Sequence, residues 1–309
     1  MNAIGANTWI WVSPATDERL AGLAPKIKAW GFDQIEIPIE QPTDWEPART
    51  AALLRELELR VSVCCVMAPG RDFTVEDRAT VAATRDYLCT CVDVAATVGA
   101  NVVGGPMYAP TGKTWAMEPG ERRTVVGRIV EGLRPVANYA GERGVALAIE
   151  PINRFETSVV NTAEQALELL EGIDSPACGV LLDTFHMNIE EKSPAAAIRA
   201  VGARLVHVHA CGSDRGAPGA DHTNWEENFA ALTEIGYGGA LVIESFTAEN
   251  TTIATAAAIW RRLAPTQDEL ATAGLAFLRE MLATRAPGRS ESEPARRSAR
   301  PVERAIAQT

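Results

Sequence analysis

Eight short apolar runs recur along the chain, and helix-like stretches separate them. The runs lie at 4–10, 34–39, 60–66, 101–105, 145–150, 178–183, 204–209 and 240–244. The clearest helical stretches lie at 17–31, 75–99, 120–144 and 162–173. Several of these end in a glycine shortly before the next run, which is a common helix stop. Strand–helix units in series form a parallel sheet, so the pattern predicts an α/β fold. With eight units we expect a (β/α)8 TIM barrel, formed as a single domain by residues 1–285.

An open, doubly wound sheet could also be built from such units. That fold would favour a glycine-rich phosphate turn directly after the first strand. The stretch NTWIWVSP at 7–14 is not such a turn. The barrel is therefore the favoured architecture.

The last residue of each of the four final runs is a side chain that can bind a metal. These residues are Glu150, Asp183, His209 and Glu244. Reactive groups of a TIM barrel lie at the carboxyl ends of its strands, so the four should meet at one end of the barrel. Acids at strand ends can also simply cap the following helices, but four consecutive strands favour a metal site. Three carboxylates and one imidazole suit a divalent ion such as Mn²⁺, Co²⁺ or Mg²⁺.

His207 precedes His209 by two residues and shares its strand face. It could be a further ligand, but a hydrogen-bonded histidine inside the barrel that supports the site is the favoured interpretation. The chain has four histidines, at 186, 207, 209 and 222. A trinuclear metal centre with several histidine ligands is hard to build from four histidines. This argues against a barrel endonuclease that acts at abasic sites in DNA.

Composition narrows the possible partners. The chain has 309 residues, of which 47% are hydrophobic, and a net charge of −11 with no Lys/Arg run on a predicted element. This composition predicts no nucleic-acid partner.

No apolar stretch approaches about 18 residues, and no signal peptide is visible, so we expect no membrane contact and a cytoplasmic location. The six cysteines form no C-x-x-C motif and are expected to be free thiols.

Composition changes near the C-terminus. Residues 286–309 are rich in Arg, Ser and Pro and contain few apolar side chains. Such a segment cannot bury enough apolar surface to fold, so it is predicted to be a disordered tail.

Four stretches carry a family resemblance. They are EPINRFETSVVNT (150–162), LDTFHMNIEE (182–191), HVHACGSDRG (207–216) and VIESF (242–246). They resemble the ketose 3-epimerases, which act on D-tagatose, D-allulose (psicose) or L-ribulose and belong to the xylose-isomerase-like TIM barrels. The resemblance runs from about residue 1 to residue 283 and is most specific over the last four strands.

The resemblance implies roles for particular residues. It makes the four strand-end residues the ligands of one divalent ion, with Mn²⁺ preferred over Co²⁺ or Mg²⁺, and makes Glu150 and Glu244 the catalytic pair as well. Substrate-binding positions are implied for Glu156, His186, Arg215, Trp115 and Phe246, and Trp11 is a further candidate wall of the pocket. It also implies a homodimer or homotetramer.

Three departures from the family pattern concern the substrate. Gly212 stands where the family usually has a glutamate, and Gly219-Ala220-Asp221 replaces a G-x-G turn. Asn7 replaces an aromatic residue found in some members. These changes leave the metal set intact and make the preferred sugar the open question.

The expected reaction is inversion at C3 of a free ketose. One glutamate would remove the C3 proton, the other would return a proton to the opposite face, and a metal-stabilised cis-enediolate would lie between. Open alternatives on the same barrel are an aldose–ketose or hydroxypyruvate-type isomerase and an inosose dehydratase. A non-catalytic sugar-binding barrel is disfavoured because it needs no pair of opposed glutamates. A sugar-phosphate substrate is disfavoured because SFTAENTT (245–252) carries no basic residue.

Overall fold

The computed structural model describes residues 2–285, in which eight parallel strands close into a barrel in the order β1 to β8. The strands are β1 Ile4–Asn7, β2 Gln34–Ile39, β3 Arg60–Cys65, β4 Val102–Gly105, β5 Ala146–Ile149, β6 Cys178–Asp183, β7 Leu205–Ala210 and β8 Leu241–Ile243. The expected fold is confirmed. The tail predicted at 286–309 lies outside the described residues.

Helices surround the barrel. They are α1 Asp17–Trp30, α2 Pro47–Glu56, α3 Arg78–Val98, α4 Pro119–Gly141, α5 Ala163–Ile173, α6 Thr184–Glu190, α7 Pro194–Val201, α8 Trp225–Glu234, α9 Thr251–Ala256 and α10 Gln267–Thr284. Two short 3-10 helices, Thr8–Ile10 and Gly202–Arg204, complete the set. Within residues 2–285 we find no helix with the length and apolarity needed to cross a membrane.

Strand β2 illustrates how the sequence divides the core into two layers. Ile35, Ile37 and Ile39 are buried in the main hydrophobic cluster that the helices cover. Because side chains alternate along a strand, Gln34 and Glu36 face the barrel interior instead. A buried acid in mid-strand is costly unless it is paired, so Glu36 marks a polar layer inside the barrel.

Residue pairing between adjacent strands extends that polar layer to the neighbouring strands. Asn7 of β1 and Ser62 of β3 both pair with Glu36 of β2. On the other side, Asp183 of β6 pairs with His209 of β7. Hydrogen bonding of β1 to β8 closes the ring, so residues from opposite ends of the chain share one interior.

All six cysteines are free thiols, as expected. Burial raises the pKa of each thiol, to about 12 for Cys91 and Cys178. They therefore stay protonated at neutral pH and serve as small apolar side chains.

Candidate active site

Four ligand-type side chains converge at the carboxyl end of the barrel. Glu150 follows β5, Asp183 ends β6, His209 lies in β7, and Glu244 follows β8. One ligand atom from each lies within 4.8 Å of those from the others, and all four residues are buried. His209 Nδ1 is 3.5 Å from Glu150 Oε1 and 3.3 Å from Glu244 Oε2. The structure thus brings together the four residues that the strand ends predicted.

The donor set fits a divalent ion. Glu150 Oε1 and His209 Nδ1 are buried polar atoms without a hydrogen-bond partner in residues 2–285, and the two atoms lie 3.5 Å apart. The other ring nitrogen of His209, Nε2, lies 2.8 Å from the carboxylate of Glu36, which leaves Nδ1 for the ion. Carboxylate oxygens with one imidazole suit Mn²⁺, Mg²⁺ or Co²⁺.

Burial shapes the charges of these groups in the metal-free protein. Burial raises the pKa of Glu150 to about 7 and that of Asp183 to about 6. Burial opposes a charge on His209, yet the nearby carboxylates of Glu244 and Glu36 raise its pKa well above the usual value. A proton on Nδ1 therefore balances the carboxylates at the point where a metal ion would be held.

Arg215 lies beside the carboxylates, in the loop after β7. Its Nη1 donates to Asp183 Oδ2 at 2.6 Å and to Glu244 Oε2 at 3.2 Å. The guanidinium is packed between the rings of Phe185 and Phe246, 4.1 and 4.7 Å from their centroids. Its backbone φ is +67°, a conformation uncommon for a side chain of this size. The loop therefore holds this cation in one place.

A tight turn explains how that backbone is held. The Arg215 N–H donates to the Gly212 carbonyl at 2.9 Å, and the Gly212 N–H donates to the Gly216 carbonyl at 3.0 Å. A Cβ added at Gly212 would lie 3.0 Å from the carbonyl oxygens of Gly216 and Ala217. The residue that departs from the family pattern is therefore part of the turn that presents Arg215.

His186 lies on α6, three residues after Asp183. Its Nδ1 accepts from the Asn153 N–H at 3.0 Å, so the proton of the neutral ring belongs on Nε2. Burial, followed by the charge of Arg215, lowers the pKa of His186, which keeps the ring neutral. Nε2 lies 3.0 Å from Arg215 Nη2. Two donors thus meet at one point, where an acceptor oxygen could bind both.

A cavity of about 300 Å³ opens above these groups. Glu150, Glu156, His186, Arg215, Glu244 and Phe246 line it. Glu156 accepts from Asn153 Nδ2 at 2.7 Å, which orients its carboxylate. The opposite wall is largely apolar and includes Met67 and Ile253.

Trp115, one of the expected substrate contacts, does not line this cavity. It lines a separate surface groove with Lys113, and its indole N–H donates to Glu121 at 3.0 Å. Trp11 is also elsewhere, stacked on Trp30 with ring centroids 5.5 Å apart. The aromatic wall is instead formed by Phe246 and Trp9, whose centroids are 6.1 Å apart in an edge-to-face arrangement.

Comparison with known proteins identifies the family. The family model described as xylose isomerase-like TIM barrel matches residues 24–281. A protein of Synechocystis sp. named "Probable ketose 3-epimerase" is 34% identical, and the match covers 91% of this chain and 96% of that protein. The chain belongs to the ketose 3-epimerases of the xylose isomerase-like TIM barrels.

Two further members of this epimerase family give the same result. The D-psicose 3-epimerase of Agrobacterium fabrum is 31% identical, over 83% of this chain and 91% of its own. A crystal structure of D-allulose 3-epimerase from Methylomonas sp. in complex with D-allulose superposes with a TM-score of 0.82 at 32% identity, covering 91% of this chain and 97% of that one. These relatives are sugar-modifying enzymes.

Sequence reasoning missed the most enclosed acid of this epimerase-family barrel, Glu36. It is fully buried on β2 and contacts both His207 and His209. Burial opposes its charge, but the two imidazoles hold its pKa well below the usual value. The available signal was an acid at an inward-facing position of an apolar strand. His207 is the hydrogen-bonded histidine inside the barrel that the sequence predicted, 2.7 Å from Glu36, and its support of the metal site stays a prediction.

The remaining departures from the family pattern also have structural roles. Asn7 Nδ2 donates to Glu36 at 3.0 Å and lies 3.5 Å from Glu244 Oε1. Asp221 accepts from the Ser213 N–H at 2.7 Å and from the Trp225 indole at 2.8 Å, which anchors the loop after β7. Asn7 therefore contacts groups of the site, whereas Asp221 is half-buried and orders the loop that carries Arg215.

Proposed function

We propose that the chain is a metal-dependent epimerase that inverts C3 of a free ketose. The observation that carries the proposal is the placement of two buried glutamates on non-adjacent strands. Glu150 follows β5 and Glu244 follows β8, with β6 and β7 between them, yet both carboxylates approach His209 Nδ1. A substrate carbon between them could lose a proton on one face and receive one on the other.

One divalent ion would be held by Glu150, Asp183, His209 and Glu244, with Mn²⁺ preferred and Co²⁺ or Mg²⁺ as alternatives. When bound, it would act as a Lewis acid toward the C2 carbonyl and C3 oxygen of the ketose. The fit rests on the converging donors and on the two unpartnered buried atoms described above.

The two glutamates would act as general base and general acid. A bound ion would favour the charged form of Glu150, which leaves its carboxylate able to accept a proton. Glu244 is held by Arg215 and by Asn7 on its two oxygens, so its carboxylate has a fixed direction. The ionised glutamate would take the C3 proton to leave an enediolate, and the other, which must start protonated, would give its proton to the opposite face. Exchange with solvent would restore both groups for the next turnover, and the roles would exchange in the reverse reaction.

Glu156, His186 and Arg215 would bind the substrate oxygens nearest the ion. His186 Nε2–H and the Arg215 guanidinium are donors 3.0 Å apart, and Glu156 offers an acceptor on the same cavity wall. Donors and acceptor together suit hydroxyl and carbonyl groups. Such positioning contributes a large share of catalysis in reactions of this kind.

A free sugar fits this cavity better than a sugar phosphate. Among the described residues that line it, Arg215 is the sole Lys or Arg, and its guanidinium is already paired with Asp183 and Glu244. Two further lining acids, Glu40 and Glu156, would repel a phosphate. We therefore propose free ketohexoses or ketopentoses as substrates.

The test is deuterium incorporation with a panel of free ketoses. The chelator-treated protein is reloaded with Mn²⁺, Co²⁺ or Mg²⁺ and incubated with each sugar in D2O, and the product is examined by NMR. We expect an epimeric ketose labelled at C3, and near-complete loss of turnover in Glu150→Gln and Glu244→Gln proteins that still fold. Label at C1 would instead indicate aldose–ketose isomerisation, and a glutamine variant with more than a few per cent of the rate would contradict the two-base scheme.

A further inference from the structure

Glu36 is an acid that the proposed reaction does not use. It lies at the centre of the barrel, beneath the four ligands, and is fully buried. We propose that Glu36 is a positioning residue that keeps the Nδ1 lone pair of His209 directed at the divalent ion, and thereby sets the affinity of the site for that ion. The inference rests on the metal site of the proposed function.

Four donors saturate the Glu36 carboxylate. Oε1 accepts from His209 Nε2 at 2.8 Å and from Asn7 Nδ2 at 3.0 Å. Oε2 accepts from His207 Nε2 at 2.7 Å and from Ser62 Oγ at 2.8 Å. Two donors on each oxygen use the full accepting capacity of an ionised carboxylate. The side chain is therefore held in one orientation by three other strands.

The directions of the outer hydrogen bonds are set by their own partners. Ser62 Oγ accepts from Gln34 Nε2 at 2.9 Å, so its hydroxyl proton is free to point at Glu36. Asn7 Oδ1 accepts from the Trp9 N–H at 2.9 Å, so its Nδ2 must be the end that faces Glu36. Both partners present donors, and Glu36 must accept from them.

The tautomer of His209 follows from this arrangement. An ionised carboxylate only accepts hydrogen bonds, so Nε2 of His209 must carry a proton. In the neutral ring, Nδ1 then has the free lone pair. That atom faces Glu150 and Glu244 at 3.5 and 3.3 Å, which is the direction a ligand to the ion requires. A carboxylate behind a metal-bound histidine is a recurrent way to fix such a ring.

Glu36, His207 and His209 could also be considered as a second ion site, because their ligand atoms are close together. The contacts argue against this interpretation. Both nitrogen–oxygen distances, 2.7 and 2.8 Å, are ordinary hydrogen bonds, and the two carboxylate oxygens are already saturated. The proposal therefore requires one ion per chain.

The hydrogen-bond array around Glu36, formed by Asn7, Ser62, His207 and His209, also contacts a second proposed metal ligand, Glu244. Asn7 Nδ2 lies between Glu36 Oε1 and Glu244 Oε1, at 3.0 and 3.5 Å. The position that departs from the family pattern thus couples the buried acid to one of the two proposed catalytic glutamates.

The decisive variant is Glu36→Gln, measured by metal binding without any sugar. Glutamine keeps the size of the side chain, removes its charge, and sets an NH2 group against one of the two imidazoles. We expect Mn²⁺ and Co²⁺ affinity, measured by calorimetry on chelator-treated protein, to fall by about 10- to 100-fold. Histidine 15N NMR of the Mg²⁺-loaded protein should show the Nε2-bound proton of His209 in wild type and its loss or redistribution in the variant.

Ser62→Ala is the matched control. It removes one neutral hydrogen bond from the same carboxylate but leaves the charge and both imidazole contacts, so its affinity loss should stay below about tenfold. Glu36→Asp is the second variant, in case Glu36→Gln does not fold. It keeps the charge but is one methylene too short to reach both imidazoles, so it should also weaken metal binding more than Ser62→Ala.

A purely structural role for Glu36 gives a different result. Glu36→Gln would then lower the melting temperature in chelator while leaving the metal dissociation constant and the His209 NMR signal as in wild type, and this outcome would overturn the proposal. Two ions per chain in the wild-type titration would also overturn it. The two proposals can fail separately. If Glu36→Gln weakens metal binding while the wild-type protein binds the ion but turns over no ketose, the role of Glu36 is supported and the proposed function is contradicted.

Discussion

At the scale of single residues, enclosed charges determine what the site can do. Glu150, Asp183 and Glu244 lie within a few ångströms of one another, and His209 and Arg215 supply the opposite charge. Burial disfavours each charge separately, so the groups are stable only as a set. A divalent ion would replace the proton on His209 as the cation among the carboxylates.

Metal binding should therefore release protons, and the number released per ion should be larger at low pH. In the metal-free protein the pKa of Glu150 is about 7 and that of Asp183 about 6, and both must ionise to bind an ion. Above about pH 8 both carboxyl groups are already ionised, whereas near about pH 6 they carry protons that the ion must displace. Calorimetry in buffers of different ionisation enthalpy should show proton release rising, and affinity falling, as the pH decreases. A release that is constant with pH would contradict these assignments.

Asp183 and His186 should behave differently although three residues separate them. Asp183→Ala removes a proposed ligand, so we expect the purified protein to retain little metal by mass spectrometry. His186→Ala removes a donor to the substrate, so we expect wild-type metal content and a KM for the ketose raised by about tenfold or more. A His186→Ala protein without metal would show that this division of roles is wrong.

At the scale of elements, local signals set most of the boundaries. Helix α3 begins after Asp77, which caps the Thr80 N–H at 2.8 Å, and ends at Gly99, whose φ is +82°. The first strand is shorter than its apolar run, because the side chain of Asn7 accepts from the Trp9 N–H and starts a 3-10 helix. Apolar runs thus locate strands well, and side-chain caps decide where they stop.

Helix α4 offers a pair of glycines that separates packing from helix propensity. A Cβ at Gly132 would lie 2.4 Å from Cδ1 of the buried Phe73, whereas a Cβ at the exposed Gly127 would meet nothing within 4 Å. We expect Gly132→Ala to destabilise the protein by about 1–3 kcal/mol through overpacking. Gly127→Ala should be neutral or stabilise it by about 0.5–1 kcal/mol, because alanine favours the helix. Urea unfolding of both variants tests this, and an equal effect of the two would refute the packing argument.

At the scale of the whole molecule, ring closure makes one interior from distant segments. Asn7 and Glu244 are 237 residues apart, and Glu36 and His209 are 173 apart, yet each pair is in contact. An ion held by the ends of β5 to β8 would therefore tie half of the barrel together, and the Glu36 array would connect it to the other half. The homodimer or homotetramer and the cytoplasmic location implied at the outset stay predictions.

Metal should consequently stabilise the whole fold. An ion at 100 times its dissociation constant adds about 2.7 kcal/mol, which for a domain of this size is roughly 5 °C or more in melting temperature. Scanning calorimetry with Mn²⁺ and with chelator should show this difference. Asp183→Ala is the control, since it should melt at nearly the same temperature in both conditions. A wild-type melting temperature that does not respond to saturating ion would contradict a bound metal.

The barrel and the proposed ligand set could both be predicted from the amino-acid sequence. Eight apolar runs and the polar residues that end the last four are local features, and parallel strands in one ring bring their carboxyl ends to one face. Glu156, His186, Arg215 and Phe246 followed from the family resemblance, and the structure places them on one cavity.

The three-dimensional fold determines which distant side chains complete that set. It placed Trp9 on the cavity wall and Trp115 on a separate groove, because loop paths are not encoded in strand periodicity. It also brought Glu36 against His207 and His209 across 171 and 173 residues of chain. A buried charge needs partners, but which partners it finds depends on barrel closure and strand register, and neither can be read from one strand alone.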